Sequence, residues 1–324
     1  MKFLKTISQT SAIQTISVIF EFAASVILVR YLGPLSYGIY TAVFIIPNLV
    51  TGLGAFGIGP SVIYFSGRRT FNLWAIFYFA LISALFLSIL YLIILYASSG
   101  LIYEYVFTER IELIYILIAS LIIPLNLFNK FSRAILRGLG KVNAFTLSSM
   151  LLPTLVRFIL ILVFIVVLES GLKGAIVIPI FSVFTSTLVI ITLVIFYLRN
   201  LDDKSAILRI DQIKEFLAYG LKFWIGSAIK KSDSGIMLLI VTYFSSLENL
   251  AFFKLGHSLA NLSAKAKAII DIVSVSKIVN SDVLTIKNQF PQVLRFIVML
   301  IICLVIAGNL LIKPTIEIVY GIEF

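Results

Sequence analysis

Apolar residues run through this chain in long uninterrupted stretches, and the polar residues between them gather in short clusters. Ile76–Tyr96 is typical: 21 residues without a charge. A hydrocarbon layer about 30 Å thick takes about 20 apolar residues to cross as a helix, so each such run predicts a membrane-spanning helix. Nine are predicted, over residues 10–32, 37–66, 73–98, 111–129, 143–168, 173–198, 214–244, 250–280 and 291–312. A membrane barrel would instead show segments of about 10 residues with alternating polarity. The pattern therefore defines an all-α integral membrane protein, a polytopic helical bundle.

Composition strengthens this reading. Of 324 residues, 60% are hydrophobic and 13% charged, with a mean hydropathy of +1.10, more apolar surface than a soluble core can hide. The single cysteine, Cys303, lies in an apolar run, so neither a disulfide framework nor a metal site is indicated, and no cofactor is expected. Met1–Thr10 is polar, and the apolar segment after it has no small-residue cleavage site, so the first helix is expected to be retained.

The charges are distributed unevenly. If the N-terminus is cytoplasmic, the segments on that side hold fourteen Lys and Arg, among them Arg68, Arg69, Lys130, Arg133, Arg137, Lys141 and Arg199. The opposite side holds four, Arg30, Arg110, Lys173 and Lys313. Because basic residues are retained on the inner face, this predicts a multi-pass protein of the cell membrane with an internal N-terminus. The net charge of +11 then reflects topology and a lined cavity. Nucleic acid is not expected as a partner, whereas membrane lipids with acidic headgroups are.

A shift of 213 residues sets Tyr31–Tyr40 on Phe244–Phe253, and without a gap Asn48-Leu49 on Asn261-Leu262 and Glu104–Phe107 on Glu317–Tyr320. The shift predicts a duplicated six-helix lobe, and because six is even the two copies run parallel about the membrane normal. The expected organisation is an N-lobe over 1–200, a cytoplasmic linker over 201–213 and a partial C-lobe over 214–324. Phe324 falls opposite Ile111, so the second lobe stops after three helices and the sequence reads as a fragment or truncated gene product.

Candidate chemistry concentrates where charges interrupt apolar runs. Lys222, Lys230, Lys231 and Asp233 lie in the seventh helix, and Lys254, His257, Asn261, Lys265, Lys267 and Asp271 in the eighth. An ionisable group at the centre of a bilayer costs about 3 kcal/mol or more, so such residues face protein or a hydrated cavity. At about 100° per residue, Lys254, His257, Asn261 and Lys265 share one stripe, as do Lys222, Lys230 and Asp233. Gln14, Ser17, Glu21 and Ser25 form a polar line on the first helix, and Arg157 stands alone within the fifth. Arg30 is placed at the outer end of the first helix, as gate or anchor, and Asn48 matches Asn261 under the repeat.

Plainer readings stand beside these. Lys222 could snorkel to the interface. Lys267 and Asp271 are four residues apart and could be a structural pair. His257 could serve packing as well as proton coupling. Pro47, Pro60, Pro124, Pro153 and Pro179 read as kinks, and Gly52, Gly54, Gly57 and Gly59 as close packing or flexibility in the second helix.

Four stretches carry a family resemblance. Arg30-Tyr-Leu-Gly-Pro-Leu-Ser-Tyr-Gly-Ile-Tyr40, Arg133-Ala-Ile-Leu-Arg-Gly-Leu-Gly-Lys141 and Tyr219-Gly-Leu-Lys-Phe-Trp-Ile-Gly226, with the closing Tyr320-Gly-Ile-Glu-Phe324, resemble polysaccharide flippases of the Wzx/RfbX type. These belong to the multidrug/oligosaccharidyl-lipid/polysaccharide (MOP) flippase superfamily. The resemblance implies two six-helix lobes that move a polyprenyl-(pyro)phosphate-linked saccharide across the membrane by alternating access, alongside other polysaccharide assembly proteins. Fixed cations in a hydrated cleft suit the phosphate of such a substrate. An ion-coupled multidrug antiporter of the same superfamily is the alternative, although only Glu21, Asp233 and Asp271 supply acids within the helices. A membrane-embedded glycosyltransferase or polymerase would need a large extramembrane loop or a carboxylate cluster, and an enzyme is not expected.

Overall fold

The computed structural model describes residues 2–107, 111–199 and 207–258, and among them every regular element is helical. Contacts divide the chain into two units, Met1–Leu250 and Ala251–Phe324.

The first helix, α1, runs Lys2–Leu53, 52 residues. At 1.5 Å per residue that is about 78 Å, more than twice the hydrocarbon thickness, so it makes two crossings. They are separated at Gly33 alone, whose φ of 70° and ψ of 172° are the only non-helical values inside the element. A loop was expected over residues 33–36. A bend replaces it because glycine accepts the positive φ and Pro34, lacking an N–H, needs no helical partner behind it.

The second crossing does not run unbroken to residue 66 as expected. It stops at Leu53, passes through Phe56 (φ 42°) and Gly57 (φ 73°), and restarts as α2, Ile58–Arg68. α3 is Leu73–Ala97, opened by Asn72, whose side-chain oxygen accepts from the backbone N–H of Ala75 at 3.0 Å. α4 is Leu113–Gly138, with a tight turn at Leu121 shortly before Pro124. The fourth helix was expected to end at residue 129, with Lys130, Arg133 and Arg137 in a loop. Those cations are instead helical, and α4 continues because neighbouring helices cover the apolar residues between them, including Phe131, Ile135 and Leu136.

α5 is Val142–Val167 and contains two wide π turns, Leu147–Leu151 and Leu162–Val167. The first lies immediately before Pro153, where a regular turn would set the proline ring against the carbonyl four residues back. α6 is Gly171–Arg199 and α7 is Ile210–Phe244. α7 ends in extended Ser245 (φ −135°, ψ 175°), and helix resumes at 247. Subtracting 213 places 245–246 opposite Leu32–Gly33, so the bend of α1 and the turn after α7 fall in the register of the sequence repeat. In the second unit, residues 251–258 are helical.

α4 lies at the centre of the first unit and packs on α2, α3 and α6. Phe65, Phe77, Phe131 and Phe216 are among the largest fully buried side chains. Among the described residues five helices are long and apolar enough to cross a membrane, 25 residues or longer in each case. The chain is a multi-pass membrane protein.

Candidate functional site

One polar cluster links α4, α5 and α6. The Asn129 amide nitrogen donates to Ser186 Oγ at 3.1 Å and to Thr187 Oγ1 at 3.2 Å. Ser186 Oγ donates onward to the Ser148 carbonyl at 2.8 Å, and Ser182 Oγ to the Pro153 carbonyl at 2.6 Å. In hydrocarbon such bonds glue helices together, each contributing about 0.6–2 kcal/mol. Asn129, Ser186 and Thr187 are all buried. Sequence reading missed this cluster, whose only trace was an asparagine at the end of an apolar run.

Arg157 presents the opposite arrangement. The first half of α1 and its continuation beyond Gly33 pass beside α5, and Arg157 Nη2 donates to the Tyr40 hydroxyl at 3.0 Å. Tyr37 stacks on Tyr40 at 5.8 Å, Phe44 meets Tyr40 edge-on at 5.4 Å, and Phe20 meets Phe158 edge-on at 5.2 Å. Glu21 is near enough to act on the guanidinium through its charge. Arg157 Nε, however, is buried and makes no hydrogen bond among the described residues. A guanidinium carries five donors, and a buried one left unmade costs about 1–3 kcal/mol. The arrangement holds a cation in an apolar span with bonding capacity in reserve, which suits an anion.

The other expected site residues occupy varied settings. Glu21 is exposed on α1, and the polar line around it is partly spent within the helix: Ser17 Oγ donates to the Ile13 carbonyl at 2.8 Å and Ser25 Oγ to that of Phe22 at 2.9 Å. Arg30 and Asn48 are exposed further along α1, and Lys222 is exposed on α7. Lys230, Lys231 and Asp233 lie on α7 with their side chains outside the described set, and Asn261, Lys265, Lys267 and Asp271 lie outside the described residues altogether. Lys254 and His257 are half-buried in the second unit, where Ser258 Oγ donates to the Lys254 carbonyl at 2.8 Å and the His257 ring lies 6.3 Å from that of Phe253. The structure thus sets Arg157 against Tyr40, with Tyr37 stacked on it, two residues that sequence reading had seen only as part of a motif. Among the described residues no group of three or more His, Cys, Asp or Glu could hold a metal ion.

The described residues thus form a bundle of long apolar helices with a guanidinium held among them. Comparison with known proteins places it more closely: residues 27–324 match the family model described as "Polysaccharide biosynthesis protein", and the chain belongs to that family. No curated protein matches it in sequence. Among solved structures it is similar to an inward-facing multidrug resistance MATE family transporter of the MOP superfamily. The two share 18% identity and a TM-score of 0.69 over 98% of this chain and 76% of that one. An outward-facing MATE family transporter gives 22%, 0.59, 80% and 60% respectively. A MOP superfamily transporter from Pyrococcus furiosus, described as having a binding pocket of reversed polarity, gives 22%, 0.55, 79% and 58%. The chain therefore spans about three fifths of the length of the latter two. The chain shares the fold of these MOP transporters.

Proposed function

We propose that this protein is a flippase that moves a polyprenyl-(pyro)phosphate-linked saccharide across the cell membrane, N-terminus inside, in polysaccharide biosynthesis. The chain supplies the N-lobe over 1–200, the linker over 201–213 and part of the C-lobe over 214–324. The observation that carries the reading is Arg157, a cation in an apolar span whose Nε has no partner among the described residues. A phosphate oxygen completes the guanidinium fork, and charge-assisted bonds of this kind are the strong ones. Lys222 and Lys230 on α7 are further phosphate ligands in this reading, while Asp233 and Glu21 limit the cavity's net charge when it is empty.

The test is binding of polyprenyl pyrophosphate to purified protein in lipid nanodiscs. Arg157→Gln weakens it by tenfold or more, the loss of about 1.5–3 kcal/mol, and leaves thermal unfolding nearly unchanged. Arg157→Lys retains part of the affinity. If Arg157→Gln binds as tightly as the parent and melts earlier, the guanidinium is structural and the assignment fails.

A further inference from the structure

The break in the second crossing leaves four carbonyls without helical donors, those of Thr51, Gly52, Leu53 and Gly54, as at the C-terminus of any helix. Where neighbouring helices cover a helix end, side chains can supply the missing bonds. Three side chains do so. Lys130 Nζ, from α4, donates to the Thr51 carbonyl at 2.9 Å and that of Gly52 at 3.4 Å. Trp224 Nε1, from α7, donates to the Leu53 carbonyl, and the Tyr91 hydroxyl, from α3, to that of Gly54 at 2.6 Å.

Beyond the break, α2 lies directly against α7. A Cβ at Gly57 would overlap the backbone of Gly220, and one at Gly220 would overlap Ser61 Oγ and the backbone of Gly57. Ser61 Oγ donates to the Phe216 carbonyl at 2.7 Å, and the rings of Tyr64 and Tyr219 stack at 4.2 Å. Phe56 packs on Trp224 with centroids 5.5 Å apart. This seam consists of side-chain-to-carbonyl bonds, stacked rings and bare backbone, contacts that separate and re-form without dismantling either helix.

We propose that the α2–α7 seam is the gate closing the transport route at the end of the bundle where α2 terminates in Arg68, and that Lys130 is the positioning residue that sets it. By capping the broken end of α1, Lys130 fixes where α2 starts and so how closely Gly57 meets Gly220. The gating role rests on the flippase reading, whereas the positioning role does not.

The chain has two tryptophans, so Trp74→Phe leaves Trp224 as the sole reporter. In nanodiscs of that variant, Lys130→Met raises the acrylamide quenching constant of Trp224 at least twofold, Tyr91→Phe raises it less, and Lys130→Arg restores the parent value, all with unfolding midpoints close to the parent. Quenching unchanged in folded Lys130→Met overturns the positioning role. Should Lys130→Met fail to fold, Tyr91→Phe decides, and unchanged quenching there overturns it equally. For the gate, a short bifunctional thiol reagent joining Tyr64→Cys to Tyr219→Cys in a Cys303→Ser background stops lipid-linked saccharide transport, and cleaving the linker restores it. Transport that continues through the formed cross-link sinks the gate while leaving the flippase reading intact. A parent that binds no polyprenyl pyrophosphate fails the flippase reading, and the gate falls with it.

Discussion

Two polar clusters sit inside the first unit within a few helical turns of each other, and they differ in what they leave undone. Around Asn129 the amide nitrogen meets two hydroxyls and one of these passes its proton to a carbonyl of a third helix. Around Arg157 one nitrogen is held by Tyr40 while Nε has no partner among the described residues. The first arrangement belongs to a protein that needs α4, α5 and α6 to stay together. The second keeps a buried guanidinium nitrogen without a bond among the described residues, which costs stability. A polar residue in a membrane span is therefore informative less by its presence than by its unmet bonds.

Three substitutions test this contrast, beyond the Arg157 variants. The largest effect is expected at Asn129→Leu, which removes the amide donor shared by the Ser186 and Thr187 hydroxyls and should lower stability by about 1–2 kcal/mol, seen as an earlier thermal transition in detergent. Ligand affinity should stay within about twofold; a tenfold loss would merge the two clusters into one site. Next, Tyr40→Phe removes the bond that aims the guanidinium and should weaken polyprenyl pyrophosphate binding about threefold to fivefold, the loss of one hydrogen bond of about 0.5–1.5 kcal/mol. Calorimetry that showed tighter binding would mean Tyr40 competes with the ligand instead of orienting its receptor. Smallest is Ser17→Ala. Its hydroxyl bonds only the Ile13 carbonyl of its own helix, so both stability and binding should move by less than about 0.5 kcal/mol. A larger binding loss would return the polar line of the first helix to the site.

The sequence made the helices legible because hydrocarbon imposes one demand on every residue of a span, and a run of 21 apolar residues meets it visibly. By the same logic of cost it predicted that Arg157 faces protein rather than lipid. It could not show Tyr40 as the partner, because a tyrosine near a helix end reads equally as an interfacial anchor. Lys130 was misplaced for a related reason. A lysine followed by Arg133 and Arg137 looks like a loop, and the carbonyls it caps lie 79 and 78 residues away in the chain. The glycines at 54 and 57 were seen as close packing or flexibility. Both readings touch the truth, yet neither predicts that three other helices each send a donor to that point. Backbone carbonyls are present at every position, so nothing in a sequence marks the ones left unpaired.

The wide turn at Leu147–Leu151 has a consequence for how this chain tolerates length changes. A π turn is the shape a helix takes when it absorbs one additional residue without rotating the turns beyond it. Deleting one residue within 147–151 lets the turn tighten to regular helix and leaves Arg157 facing Tyr40. The same deletion between 152 and 156 swings Arg157 about 100° around the axis of α5, away from α1. A stretch of five residues thus acts as a buffer for insertions and deletions, and the few residues between it and the guanidinium are the ones whose number cannot change.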